Sequence, residues 1–138
     1  MKPRLDLISL GVHDLDAARR FYLDGLGWPA SLDVPGEVIF LPIGHRIILS
    51  LWAIDEMVAE VGPVGPGPAS ITLAHNVDTV PEITEILDRA VAAGGTLLAP
   101  ATEREWGGAS GYFADPDGYR WEIAVNPGFL DRFGRSDA

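Results

Sequence analysis

Glu122 is the residue whose type and setting most suggest chemistry. It stands inside the run Tyr119-Arg120-Trp121-Glu122-Ile123-Ala124-Val125, which alternates in the manner of a β-strand. Alternation puts Trp121, Ile123 and Val125 on one face and Arg120, Glu122 and Ala124 on the other. Upstream, Ser110-Gly111-Tyr112-Phe113 predicts a partner strand, and Asp115-Pro116-Asp117-Gly118 predicts the tight turn between the two. Pro116 presets φ, the two aspartates can accept from nearby backbone amides, and Gly118 tolerates positive φ. A carboxylate in such a strand either meets solvent or lines a polar cavity, because carboxylates are seldom buried unpaired. In a cavity it could hold a metal or move protons.

The elements that would position it follow from periodicity. Residues 5–12 predict a strand, and Asp14 can cap a helix carrying Leu15, Ala18, Tyr22 and Leu26 on one face, stopped by Gly25 and Gly27. Residues 32–34, 37–41 and 46–52 read as short strands, and 54–61 as a single helical turn. Gly62-Pro63-Val64-Gly65-Pro66-Gly67-Pro68 reads as a linker, since proline lacks a ladder donor and glycine adds backbone entropy. The pattern then restarts. A strand is expected over 70–77, followed by a capping box at Thr79-Val80-Pro81-Glu82. A helical stripe of Ile83, Ile86, Leu87, Ala90 and Val91 comes next, and strands over 96–99, 108–114 and 119–125. From Pro127 a surface tail is expected, with Phe129, Leu130 and Phe133 docked. Strand, helix and strands thus occur twice, with Val12 and Val77 in equivalent places, as an internal duplication would give. The expected organisation is a first module over 1–61, a linker over 62–68, a second module over 69–127 and a tail over 128–138.

The string Asp115-Pro116-Asp117-Gly118-Tyr119-Arg120-Trp121-Glu122 resembles the closing hairpin of the vicinal oxygen chelate superfamily, which includes glyoxalase I, bleomycin-resistance proteins and extradiol dioxygenases. The opening segment, from Leu7 through His13-Asp14-Leu15 to Phe21-Tyr22 and on to Gly25-Leu26-Gly27-Trp28, is similar to the family's first strand and helix. The resemblance implies an α+β fold of two βαβββ modules whose curved mixed sheets surround a central cup. Metal-using members take ligands from the first and last strand of each module, mostly His, Glu or Gln. Here the resemblance puts those positions at Leu7, on or next to Ser50, at Ser70 or Thr72, and at Glu122. Leucine cannot coordinate, neutral hydroxyls are weak ligands, and one carboxylate does not hold a transition metal. No metal and no other cofactor is therefore expected.

Residues expected to line the cup are Glu122 with Arg120, Ser110 and Tyr112 on the second module, and Ser50 and Trp52 on the first. Trp106 joins them through Trp106-Gly107-Gly108, where glycines allow close backbone approach. Among the histidines, His13 sits at the helix entrance and His45 in a turn. His75 shares the parity of Ile71 and Leu73, which makes it a hydrogen-bonded histidine at the core edge unless a bulge reverses it.

A chain of 138 residues, 47% of them hydrophobic, has the size and composition of one globular domain. It has no cysteine, so disulfides, thiolate metal sites and cysteine nucleophiles are excluded. A formal charge of −10 argues against nucleic-acid or anionic-membrane partners. Without a leader-like or membrane-length apolar run, a cytoplasmic location is the default expectation. No Gly-x-Ser-x-Gly elbow, dinucleotide fingerprint or phosphate loop is present. Two functions remain. One is metal-independent binding of a small organic molecule, aromatic or cationic. The other is a lyase, isomerase or dioxygenase using Glu122 as ligand or general base. The cup could close within one chain or across a homodimer.

Overall fold

A computed structural model describes residues 1–65 and 71–133. In the first module, strands β1 (Leu7–Val12), β2 (Leu32–Val34), β3 (Val38–Ile43) and β4 (Ile47–Ala53) form a sheet in the order β1-β4-β3-β2. The second module repeats this with β5 (Thr72–Val77), β6 (Thr96–Glu103), β7 (Ala109–Ala114) and β8 (Arg120–Val125), in the order β5-β8-β7-β6. In each sheet the first strand runs parallel to the last, and the remaining pairings are antiparallel. This is the α+β fold of two βαβββ modules expected from the repeated pattern together with the family resemblance. Ser70 and the later part of the linker, residues 66–68, lie outside the described residues, as do residues 134–138 of the tail.

Helix α1 (Leu15–Arg19) starts where Asp14, in extended conformation, accepts from the amide of Ala17 at 2.9 Å. It continues directly into a π-helical segment, Arg20–Gly25, in which the amide of Leu26 reaches back to the carbonyl of Phe21. The wider turn puts consecutive residues, Phe21 and Tyr22, both fully into the core. The segment ends against the second module's helix α3 (Val80–Ala92). A Cβ at Gly25 would lie 2.2 Å from the Cβ of Ala93, so only glycine permits this approach. At the start of α3 the capping box is only half built. Glu82 reaches back to the Asp78 amide and the Thr79 hydroxyl, while the Thr79 side chain caps no backbone amide.

Two local expectations are corrected. Residues 54–61 form a full helix, α2 (Ile54–Val61), with Asp55 and Glu56 favouring its first turn. The tail carries a short helix, α4 (Phe129–Phe133), but Phe129 and Phe133 are exposed and pair with each other instead of docking on the core.

One core joins the modules. Ile39, Leu41, Leu49 and Leu51 cover the inner face of the first sheet, and Phe113, Trp121 and Ile123 that of the second. Phe21 and Tyr22 lie between them, Phe21 edge-on to Tyr22 at 4.8 Å and tilted against Phe113 at 5.9 Å. Polar groups buried there are saturated. Trp121 donates its indole N–H to the Tyr22 hydroxyl at 3.1 Å, and that hydroxyl donates to Asp115 Oδ2 at 2.7 Å. Asp115 Oδ1 accepts from the amides of Asp117 and Tyr119, both at 2.9 Å. Two further ties close the junction: Tyr119 donates its hydroxyl hydrogen to the Gly11 carbonyl, and the His13 amide donates to Asp117 Oδ1.

Replacing Tyr22→Phe strands both the Trp121 N–H and the Asp115 carboxylate. The expected loss is roughly 1–3 kcal/mol in urea unfolding, the cost of leaving buried polar groups unpaired. Burial raises the Asp115 carboxyl above its ordinary 3.8, against the opposing hydrogen bond from Tyr22. Folding therefore favours the protonated form, so this contribution is complete below the ordinary value and is lost as pH rises through the folded one. Urea midpoints should show the wild type gaining on Asp115→Asn as pH falls from neutrality toward the ordinary carboxylate range.

Candidate functional site

The β7–β8 register places Tyr112 opposite Glu122 and Ser110 opposite Ala124, on the face that alternation assigns them. Glu122 is half-buried and accepts a 2.6 Å hydrogen bond from the Tyr112 hydroxyl. That bond, followed by burial, pushes the Tyr112 phenol above its usual 10. Ser110 is buried beneath Arg104, whose Nε donates to Ser110 Oγ at 2.8 Å and whose Nη2 donates to the Ser110 carbonyl at 3.3 Å. The guanidinium sits 6.0 Å from the centre of the Tyr112 ring. Arg104 was not among the residues singled out from sequence. The available signal was the hairpin itself: Arg104 immediately precedes the turn at residues 105–107 and therefore returns beside the start of β7. Arg120 lies on the Glu122 face and is exposed. Trp106 is also exposed, its ring folded back over Gly108 at the hairpin tip.

Ser50 and Trp52 occupy the corresponding face of the first module. Ser50 pairs with Ser9 on one side and Phe40 on the other. A cavity of about 340 Å³ lies against this face, lined by Leu7, Ser9, Val38, Phe40, Ser50, Trp52 and Glu60. These are residues of the first module alone. None of the residues of the Glu122 face lines this cavity. The sequence-derived site residues are thus brought together as two sets, Ser50 with Trp52, and Ser110, Tyr112, Arg120 and Glu122.

The metal positions can be compared with the donors present. Thr72 shares the Glu122 face, Ala74 stands directly opposite Glu122, and Ser70 lies outside the described residues. Leu7 is aliphatic, Ser50 is buried, and one Glu122 oxygen is already taken by Tyr112. This donor set does not fit a transition metal. Among the described residues no group of three or more His, Asp or Glu side chains is arranged to hold a metal ion. His75 follows β5 in regular register opposite Ile123, with no bulge, so it points to the helix side and not to the Glu122 face.

Residues 4–123 match the Glyoxalase/Bleomycin resistance protein/Dioxygenase superfamily. The chain belongs to it. A glyoxalase-related enzyme from Fulvimarina pelagi superposes with a TM-score of 0.86 at 42% identity, over 91% of this chain and 90% of that one. Lactoylglutathione lyase from Agrobacterium tumefaciens superposes with a TM-score of 0.69 at 25% identity, over 91% and 95%. Biphenyl-2,3-diol 1,2-dioxygenase 3 of Rhodococcus globerulus is 27% identical over 90% of this chain, which spans only 64% of that relative's length. None of the helices among the described residues is long and apolar enough to cross a membrane.

Because Glu122 is the first cause of the Tyr112 shift, Glu122→Gln should bring one of the three tyrosines back toward the ordinary phenol range. Ultraviolet titration of tyrosinate reads this directly. An unchanged titration curve would show that the hydrogen bond does not form in solution.

Proposed function

We propose that this superfamily member is a metal-independent binding protein for a small aromatic or cationic organic molecule held against the Glu122 face. The observation that carries the reading is the Tyr112–Glu122 hydrogen bond. The one carboxylate at a family ligand position is already engaged by a phenol, and Leu7, Ser50 and Thr72 at the other positions offer no comparable donor. Tyr112 and Trp52 provide flat faces for an aromatic ring, while Glu122 and Glu60 provide negative charge for a cation. Two separate half-cups support closure by pairing, with the first sheet of one copy over the second sheet of another. A homodimer working in the cytoplasm on a small molecule is the resulting picture.

The same bond favours a second reading. Phenol and carboxylate 2.6 Å apart can pass a proton, so Glu122 could act as general base in a lyase or isomerase reaction, with Tyr112 holding it in place. A relative named as a lyase and another named as a dioxygenase belong to this side of the argument. Dioxygenase chemistry of the family type would require a metal, which the donor set does not fit.

Thermal unfolding with Ni, Zn, Mn, Fe and Co separates the readings, since a ligand of the folded state alone must raise stability. No rise is expected with any of them. A cationic aromatic probe should bind, and Glu122→Ala should weaken it about tenfold, near 1.4 kcal/mol, without loss of fold. Stoichiometric metal that disappears in Glu122→Ala would overturn the binding reading in favour of the enzyme.

A further inference from the structure

We propose that the chain carries a second small-molecule site, on the opposite side of the β8 sheet from Glu122, built to take a small aromatic carboxylate. A cavity of about 220 Å³ opens there between the modules. Its floor is Phe113, Trp121 and Ile123, all buried, and its walls include Leu26, Trp28 and Ile86. Trp28 meets Trp121 edge-on at 5.7 Å. The Trp121 N–H is already spent on Tyr22, so the cavity presents carbon surface and the flat faces of rings. Neighbouring positions on β8 point to opposite sides, so Trp121 serves this cavity while Glu122 serves the other face.

The mouth is different in kind. It carries Arg89, from the last turn of α3, and His75, from the edge strand β5. Arg89 is positioned by the first module: its Nε donates to the Gly25 carbonyl at 3.1 Å. Gly27, at φ +76, leaves room beside it, since a Cβ there would lie 3.3 Å from Arg89 Nη2. With Nε committed, the guanidinium is steered while its amino groups stay available, and Arg89 makes no ion pair among the described residues.

A guanidinium held at the rim of an aromatic-lined cavity matches a planar apolar body bearing a carboxylate, the group that guanidinium binds in bidentate fashion. A neutral aromatic would leave the cation unused, and a cationic one would be repelled. The volume suits a single ring and falls below the roughly 300–1,000 Å³ of drug-sized pockets. Because the walls come from both modules, an occupant would bridge them.

Phenylacetate is the probe, with phenylacetamide as its neutral counterpart of the same size, read by NMR shifts of backbone amides and indole N–H groups. Phenylacetate is expected to move the indole N–H groups of Trp28 and Trp121 and the amides of the Ile86 region while leaving the Trp52 indole N–H in place. The amide should bind at least tenfold more weakly, and Arg89→Gln should weaken phenylacetate by a similar factor. Ile86→Trp, which fills the cavity from its half-exposed wall and keeps Arg89, should abolish binding even if Arg89→Gln disturbs the fold. Equal binding of acid and amide, shifts centred on Trp52 or Tyr112, retained binding in Ile86→Trp, or no shift at millimolar phenylacetate would each overturn the proposal.

Discussion

A single buried carboxylate, Asp115, sets the conditions for the rest of the molecule. It is nearly inaccessible to water, so its oxygens must be saturated from within. Two amides of its own turn serve one oxygen, and the Tyr22 hydroxyl, from the other module, serves the second. The turn between β7 and β8 is thereby both a chain reversal and a fastening point. Tyr22 in turn holds the Trp121 indole, which fixes the roll of β8 and so decides which way Glu122 faces. Neutral aromatic packing around this polar chain excludes water and makes each of its bonds costly to lose.

Sequence pattern was a good guide wherever the physics was local. Period-two alternation along 119–125 separated Trp121 from Glu122. The Asp-Pro-Asp-Gly turn marks the hairpin and alternation puts Tyr112 on the Glu122 face, whereas their direct pairing is a matter of register that only the structure shows. The length of α2 was underread because a run of only eight residues offers too few turns to separate a helix from a single turn by periodicity. Arg104 escaped notice because its role arises from a hairpin whose partners are six residues apart. Parity gives His75 its helix-side face, but the side chain is exposed there and makes no hydrogen bond among the described residues, so it is not the core-edge histidine expected, and parity is silent on the cavity beside it. Alternation tells which residues share a face and is silent on where that face points. The direction was set by Tyr22 meeting Asp115 across 93 positions of chain.

The second sheet therefore has two chemical sides separated by the thickness of one strand. One presents a phenol, a carboxylate and a serine beneath an arginine; the other presents indole and phenyl surface with the Arg89 guanidinium and His75 beside it. Family membership accounts for the scaffold, and this chain's own side chains account for what either side can recognise. Leu7, Ser50 and Thr72 set the chemistry of the uncovered faces without belonging to the aromatic core that supports them.

The joint formed by Phe21, Tyr22, Phe113 and Trp121 has a bearing on how the chain folds. Each module repeats the same strand order, yet neither holds a complete interior: the first would leave Phe21 and Tyr22 in water, the second Phe113 and Trp121. The duplicated halves are repeats in architecture but a single unit in cooperativity, so a cut between them would release two sticky fragments in place of two small domains.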